Sequence, residues 1–228
     1  MTNKIDILRK KVLQSRKNEN KKVDYILKWL KQRNKVNKMK VQKVPIKKLT
    51  EWSYRENGNL AHKSGQFFSV EGVKVSNAIE REVSSWEQPI LNQKHGGILA
   101  IISRERAGII EFLLYARKEP GDTKIKLCPS FSATQSNINL AHGGKKTPLT
   151  DIIHNHKKNN LIARTIHYEE GARFWKKSNQ NLIIKIDQKE SLKIKEKNFI
   201  WLNLSQIKKL NLVNGIINPF VKTILFMV

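Results

Sequence analysis

Residues 130–139 read SFSATQSNIN and carry Ser130, Ser132, Thr134, Gln135, Ser136, Asn137 and Asn139 without a single charge, in a chain with 44 Lys and Arg. A solvated loop in such a chain would be expected to carry lysine, and a core strand would carry Val, Ile and Leu. Consecutive neutral hydroxyls and amides offer directional hydrogen bonds of both senses. A carbohydrate ring needs that set. The polar side of an edge strand would use the same residues, so composition alone leaves both readings open.

Other stretches could carry acid–base or anion chemistry. Glu119-Pro120-Gly121 follows the apolar run FLLYARK. Proline holds its predecessor extended, so Glu119 is expected at a strand end. In AHKSGQFFSVEGVKV, His62, Lys63 and Ser64 precede Gly65 and two Phe. That pattern fits a turn into a strand with a Phe in the core, or a turn that points His62 at a pocket. In EREVSSWEQPI, Arg81 and Trp86 fit a salt-bridged turn, or a guanidinium fork with a ring nearby for stacking.

Metal and cofactor motifs are missing. Of the six histidines only His154 and His156 are close, in DIIHNHKKNN, which reads as a loop. No HExxH spacing, Walker sequence or G-x-G-x-x-G occurs. The lone Cys128 excludes an intrachain disulfide and a cysteine-based zinc site. No metal and no cofactor are expected. The single cysteine and the lack of an apolar leader in MTNKIDILRKK suggest a cytoplasmic protein. IINPFVKTILFMV is too short to span a bilayer and reads as a buried terminal element, so no membrane is expected.

Periodicity gives the scaffold that holds these residues. Ile5, Leu8 and Val12, then Val23, Ile26, Leu27 and Leu30, recur at helical spacing, interrupted by QSRKNENKK, so residues 4–34 form two helices or one frayed helix. Pro45 closes this basic region, and a boundary is placed at residue 48. QFFSVEGVKVS predicts strand, turn at Gly72 and strand. GGILAIISRERAGIIEFLLYARKEP predicts a hairpin turning at 106–108. NLIIKID and NFIWLN predict further strands, and LSQIKKL a short helix. Short strands with scattered helices imply an α+β domain with a mixed or antiparallel sheet over 49–228, preceded by a basic helical lead-in over 1–48. The net charge of +25 is mostly lysine spread along the chain. Nucleic-acid readers favour clustered arginine, which makes a nucleic-acid partner the weaker alternative.

Taken in order, WSYRENGNLAHKSGQFFSVEGVKV, EREVSSWEQPIL, GGILAII, ARKEPGD, CPSFSATQSN with AHGG, HYEEGARF, NQNLII and FIWLNLSQIKKL resemble the sugar-nucleotide 2,3-dehydratases. The resemblance runs from about Val23 to Val228 and implies a Nudix-like α+β fold. It implies loss of water across C2 and C3 of an NDP-4-keto-6-deoxyhexose, with a non-catalytic sugar-nucleotide binder as the alternative. Nudix hydrolysis itself is not implied, because its close-spaced R-E-x-x-E-E helix is lacking. Family members typically carry two tandem copies of this unit and this chain has one, which implies a homodimer; a downstream 3-ketoreductase would take the labile product. Two departures stand out: Ser132 replaces a family Gln, and Gln180 replaces a family Arg. The implied acid–base groups are His62, Glu119, His142 and Glu169, with Lys63 or Lys118 stabilising an enolate. The nucleotide falls to Trp52, Arg81, Trp86, Arg117 and Arg173. Ser64, Ser130, Thr134, Gln135, Ser136, Asn137, Asn179 and Asn181 complete the expected substrate contacts.

Overall fold

The structure, a computed structural model, describes residues 4–93, 95–157 and 160–228; residues 158–159 of the DIIHNHKKNN stretch lie outside the described residues, as do 1–3 and 94. The N-terminal periodicity resolves into two helices, α1 (Lys4–Ser15) and α2 (Asp24–Val36). Four strands come next: β1 (Trp52–Tyr54), β2 (Leu60–His62), β3 (Ser69–Val75) and β4 (Trp86–Asn92). They pair antiparallel, in sequence order, as a small sheet. The turn expected at Gly72 is not there. Gly72 lies inside β3 and pairs with Pro89; a glycine within an apolar run reads as a break even where the ladder continues through it.

The main sheet is built from β5 (Gly97–Arg106), β6 (Ile109–Arg117), β7 (Lys126–Pro129) and β8 (Phe131–Thr134), then β9 (Leu161–Tyr168), β10 (Ser178–Lys185) and β11 (Phe199–Asn203). Its order is β11-β6-β5-β10-β9; β5 and β10 run parallel and the other pairs antiparallel. The expected hairpin is present. Ala107 and Gly108, both at positive φ, make its turn, which matches the twist of a two-residue connection.

Alternation along the strands divides the core. Leu99, Ile101, Phe112, Leu114 and Ile183 face one side, and Ala100, Ile102, Leu113, Leu182 and Ile184 the other. Over the first side lie α1, α2, α6 (Leu204–Asn211) and α7 (Pro219–Leu225); the second side is closed with help from α3 (Gln135–Ile138) and α4 (Thr150–His154), while α5 (Gln188–Ser191) lies against β5. The histidine pair read as a loop therefore begins on a helix. α6 starts with a reciprocal capping box between Asn203 and Gln206. Asn218 caps α7, with Pro219 in its first turn, and Val221 and Ile224 are fully buried. No helix among the described residues is long and apolar enough to cross a membrane.

The division drawn at residue 48 separates segments that pack together. Ile5, Leu8, Val12, Ile26 and Leu30 are buried in the same cluster as Ile101 and Phe112. The loop between the two helices is fastened to α6: Asn203 donates to the Asn20 carbonyl, Gln206 to the Lys22 carbonyl, and the Ser205 N–H to buried Glu19. A carboxylate at a helix N-terminus meets unpaired amides and the positive end of the helix dipole. The two lead-in helices are part of the main core, because an apolar stripe on a helix has to be buried against something.

β5 and β6 diverge beyond the Ser103–Phe112 pair, and β7 and β8 fill the gap. β8 pairs residues 97–100 of β5, and β7 pairs residues 114–117 of β6. Ser130 stands at the junction. Its hydroxyl donates to the Leu113 carbonyl at 2.6 Å and accepts from the Ile102 N–H at 2.8 Å. Both amide groups would otherwise be buried and unpaired at the fork.

Candidate functional site

The register of β3 on β4 pairs Ser69 with Asn92, Glu71 with Ile90, Val73 with Gln88 and Val75 with Trp86. Strand alternation puts all eight on one face of the small sheet. Ser69, Glu71 and Asn92 line a cleft of about 670 Å³. Val73, Val75, Trp86, Gln88 and Ile90 line another of about 430 Å³. The two adjoin at the Glu71–Ile90 pair. From Trp86 to Asn92 the face extends about 20 Å at the usual strand rise.

The walls opposite this face differ. At the first cleft stand Gln135, Ser136 and Asn139, with Arg55, Asn57, Asn59, Gln66, Gln93 and His95 around them. This is an amide- and hydroxyl-rich surface with few charges. At the second, the connection between β9 and β10 docks on β4: Leu91 N–H donates to the Arg173 carbonyl, and Trp175 N–H to the Leu91 carbonyl. Gln88 secures the same contact, accepting from the Trp86 indole at 2.8 Å and donating to the Ala172 carbonyl at 2.7 Å. The docked connection brings Glu169, Phe174, Trp175, Lys176 and Lys177 opposite Arg81 and Trp86. That wall is aromatic and cationic.

Glu169 is the one expected acid–base group that lines either cleft. Its Oε1 accepts from Asn179 Nδ2 at 2.6 Å and lies 3.6 Å from Lys177 Nζ. Asn179 in turn accepts from the Gly97 N–H at 2.8 Å, which fixes the orientation of its amide. The Gly96-Gly97 pair has a steric cause: a Cβ on Gly96 would collide with the Ser178 carbonyl, and one on Gly97 with that of Ala133. Asn179 and Gln135 also share a smaller cleft of about 310 Å³ beside His95.

The structure separates residues that the sequence reading put together. Arginine forks were expected across from Thr134–Asn137; Arg81 instead lines the aromatic cleft, and Gln135 and Ser136 line the amide cleft. Arg173 is 75% exposed and pairs with Glu170. Thr134 caps α3 by accepting from the Asn137 N–H. Ser130 pins the sheet fork, and Asn181 is 1% exposed within β10. Arg117 binds Glu119 at 2.7 Å and the Ser132 carbonyl at 3.1 Å. Asp122 closes the turn after Glu119, accepting from the Glu119 N–H and from Lys126. Burial pushes the Asp122 carboxyl up, but these donors prevail and hold it below the ordinary carboxylate range. Arg117, Glu119, Asp122 and Lys126 thus form an ion-paired strand end, and neither Arg117, Lys118 nor Glu119 lines either cleft. His142 is exposed and accepts from the Gly144 N–H. His62 bonds Ser64 and packs edge-on against Trp52 and Phe67, and Lys63 is exposed. Burial pushes the Cys128 thiol up to about 12, which makes it an inert core residue. Among the described residues no cluster of His, Cys, Asp or Glu could hold a metal ion.

Sequence reasoning missed Arg55, Glu71, Asn92 and His95. Glu71 lies in QFFSVEGVKVS, a segment read as a strand. The alternation that sends Val73 to a half-buried face sends Glu71 to the same face, and that was the available signal.

The fold is a mixed α+β architecture with a two-part cleft between a small and a large sheet. The chain belongs to the NDP-hexose 2,3-dehydratase family, whose model matches residues 23–228. Similar proteins include dTDP-4-dehydro-6-deoxy-alpha-D-glucopyranose 2,3-dehydratases of Saccharopolyspora spinosa, 31% identical over 86% of this chain, and Amycolatopsis orientalis, 34% identical over 80%. The matches span 40% and 39% of those proteins. Among solved structures, a C. elegans Ap4A hydrolase aligns at TM-score 0.37 and 16% identity, over 59% of this chain and 96% of the hydrolase. The C-terminal domain of mouse MUTYH aligns at 0.38 and 12%, over 59% and 87%. Likeness at that level assigns no fold.

Proposed function

We propose that this chain is a carbon–oxygen lyase that removes water across C2 and C3 of a dTDP-4-keto-6-deoxyhexose, giving a 3,4-diketo-2,6-dideoxy sugar nucleotide. The Nudix-like architecture implied by the resemblance belongs to the same proposal. One observation carries it: a single face of the small sheet leads from an aromatic, cationic cleft to an amide-lined one. Base, diphosphate and hexose fit that sequence of surfaces. The thymine ring stacks beside Trp86 and Trp175, the diphosphate meets Arg81 and the neighbouring lysines, and the hexose hydroxyls meet Gln135, Ser136, Asn57 and Asn59. The nucleotide and hexose are taken from the names of the relatives.

The reaction is redox-neutral overall. The C4 ketone acidifies the C3 proton, so the site has to supply a base, a donor on the enolate side and an acid for the leaving hydroxyl. Arg55 is the cation of the amide cleft. Its guanidinium is anchored on the His62 and Lys63 carbonyls at 2.6 and 3.1 Å, and no carboxylate pairs with it among the described residues. That leaves its charge available to an enolate oxygen.

The diketone product is labile, so a 3-ketoreductase is the partner that consumes it. The matched stretch is about two fifths of each relative, and a homodimer supplies the second unit. Incubation with dTDP-4-keto-6-deoxyglucose and a 3-ketoreductase should yield a 2,6-dideoxy product. Thymidine-diphosphate binding without any such product would make the chain a non-catalytic binder. A monomeric mass at micromolar concentration would contradict the dimer.

A further inference from the structure

Resting on that reading of the two clefts, we propose that Glu71 is the catalytic carboxylate that carries the proton between C3 and the departing C2 hydroxyl. Among the described residues it is the only acidic side chain that lines the amide cleft. Its Oε1 accepts from Ser69 Oγ at 2.6 Å and from Asn92 Nδ2 at 3.0 Å. Both donors share its sheet face and are neutral. Among the described residues Oε2 has no partner, and no cation pairs with Glu71. One oxygen is thus clamped while the other is left for a ligand. Glu169, by contrast, lines the other cleft and is already engaged by Lys177 and by the Asn179 amide.

Position supports the same assignment. Glu71 pairs with Ile90, where the two clefts adjoin. A sugar nucleotide laid along the face passes its glycosidic bond across that junction. The ring carbons nearest C1 then come closest to Glu71, and the dehydration takes place at C2 and C3. In a gluco-configured ring the C3 hydrogen and the C2 hydroxyl lie on the same side, so one carboxylate reaches both.

The steps balance without an added reactant. Glu71 takes the C3 proton, and the C–H electron pair forms the C3–C4 enolate. Collapse of the enolate restores the C4 ketone, forms the C2–C3 double bond and breaks C2–O. The leaving hydroxyl takes the proton back from Glu71 and departs as water, which regenerates the carboxylate. The resulting C3 enol loses its hydroxyl proton, gains one at C2 and becomes the second ketone.

The test compares the whole chain with Glu71→Gln and Glu71→Asp. Turnover of dTDP-4-keto-6-deoxyglucose, loss of the C3 hydrogen in deuterated water and thymidine-diphosphate affinity are measured on each. Glu71→Gln should lower kcat by about 10²–10⁴-fold, with affinity within about twofold. Glu71→Asp, which keeps a carboxylate, should retain part of the rate that Glu71→Gln loses. Retention of more than a tenth of the wild-type kcat in Glu71→Gln overturns the role of Glu71 and leaves the two-cleft reading standing. Loss of nucleotide affinity in both variants marks Glu71 as structural and also overturns it. A wild-type chain that neither binds the nucleotide nor dehydrates the sugar removes both readings.

Discussion

The same two strands furnish both clefts, yet the clefts are chemically unlike. At one end β3 and β4 present Ser69, Glu71 and Asn92; at the other they present Val73, Val75 and Trp86. The elements packed opposite complete the contrast. The start of α3 brings Gln135 and Ser136 to the first, and the β9–β10 connection brings Glu169, Trp175 and Lys177 to the second. A sheet face acquires a binding gradient by changing residue type along its length while separate elements approach each end. Neutral amides discriminate hydroxyl patterns through unpaired-group penalties, whereas rings and cations hold a base and its phosphates with little regard for the sugar attached.

Disabling one end and measuring both puts this contrast under the greatest strain. Arg81→Ala combined with Trp86→Ala should weaken thymidine-diphosphate binding by about 160-fold, at ~1.5 kcal/mol for each contact, as read by calorimetry. Gln135→Ala with Ser136→Ala should lower kcat/KM for the sugar nucleotide by about 30-fold, from two hydrogen bonds of ~1 kcal/mol each. Its thymidine-diphosphate affinity should stay within about twofold. Equal losses in both assays from either pair would merge the clefts into one undifferentiated site. Ser130→Ala should touch neither ligand measurement. It removes a buried donor and acceptor at the sheet fork, at a cost of ~1–3 kcal/mol, seen as a fall in Tm of about 2–4 °C per kcal/mol.

The smallest effect concerns Glu105, outside both clefts. The hydrogen bond from Lys11 holds its carboxyl below the usual range against the opposing effect of burial, with Lys185 assisting. A depressed carboxyl contributes stability above its unfolded pKa and loses it as pH falls through the folded value. Glu105→Gln should therefore cost under ~1 kcal/mol at neutral pH, and the gap to the wild type should close on acidification below the carboxylate range. Denaturant melts across that pH window would read the difference.

The sequence disclosed elements better than partners. Two apolar runs flanking a short turn made the β5–β6 hairpin legible, and helical spacing made α1 and α2 legible. Their docking on the main sheet was hidden, because an apolar stripe announces burial without naming its partner. The polar run after Pro129 shows the limit most plainly. Ser130 pins strands, Thr134 caps a helix, and Gln135 and Ser136 face a cleft. Composition gives hydrogen-bonding capacity, and only the register decides whether backbone or ligand takes it up. Arg81 and Trp86 were legible as a pair and do line one cleft, but that this cleft lies away from Gln135 was not legible. Glu71 passed unnoticed because a lone charge within a strand ordinarily reads as a solvated position.

The split in the main sheet bears on which residues can be exchanged. β7 hangs on β6 and β8 on β5, and the two meet at one hydroxyl. The short piece from Phe131 to Asn139 therefore behaves as an insert with its own moorings. Exchanging the residues at its far end leaves those moorings intact. On the proposed reading, substitutions at Gln135 and Ser136 would alter the wall of the amide cleft while leaving both these moorings and the Trp86 end of the sheet face untouched.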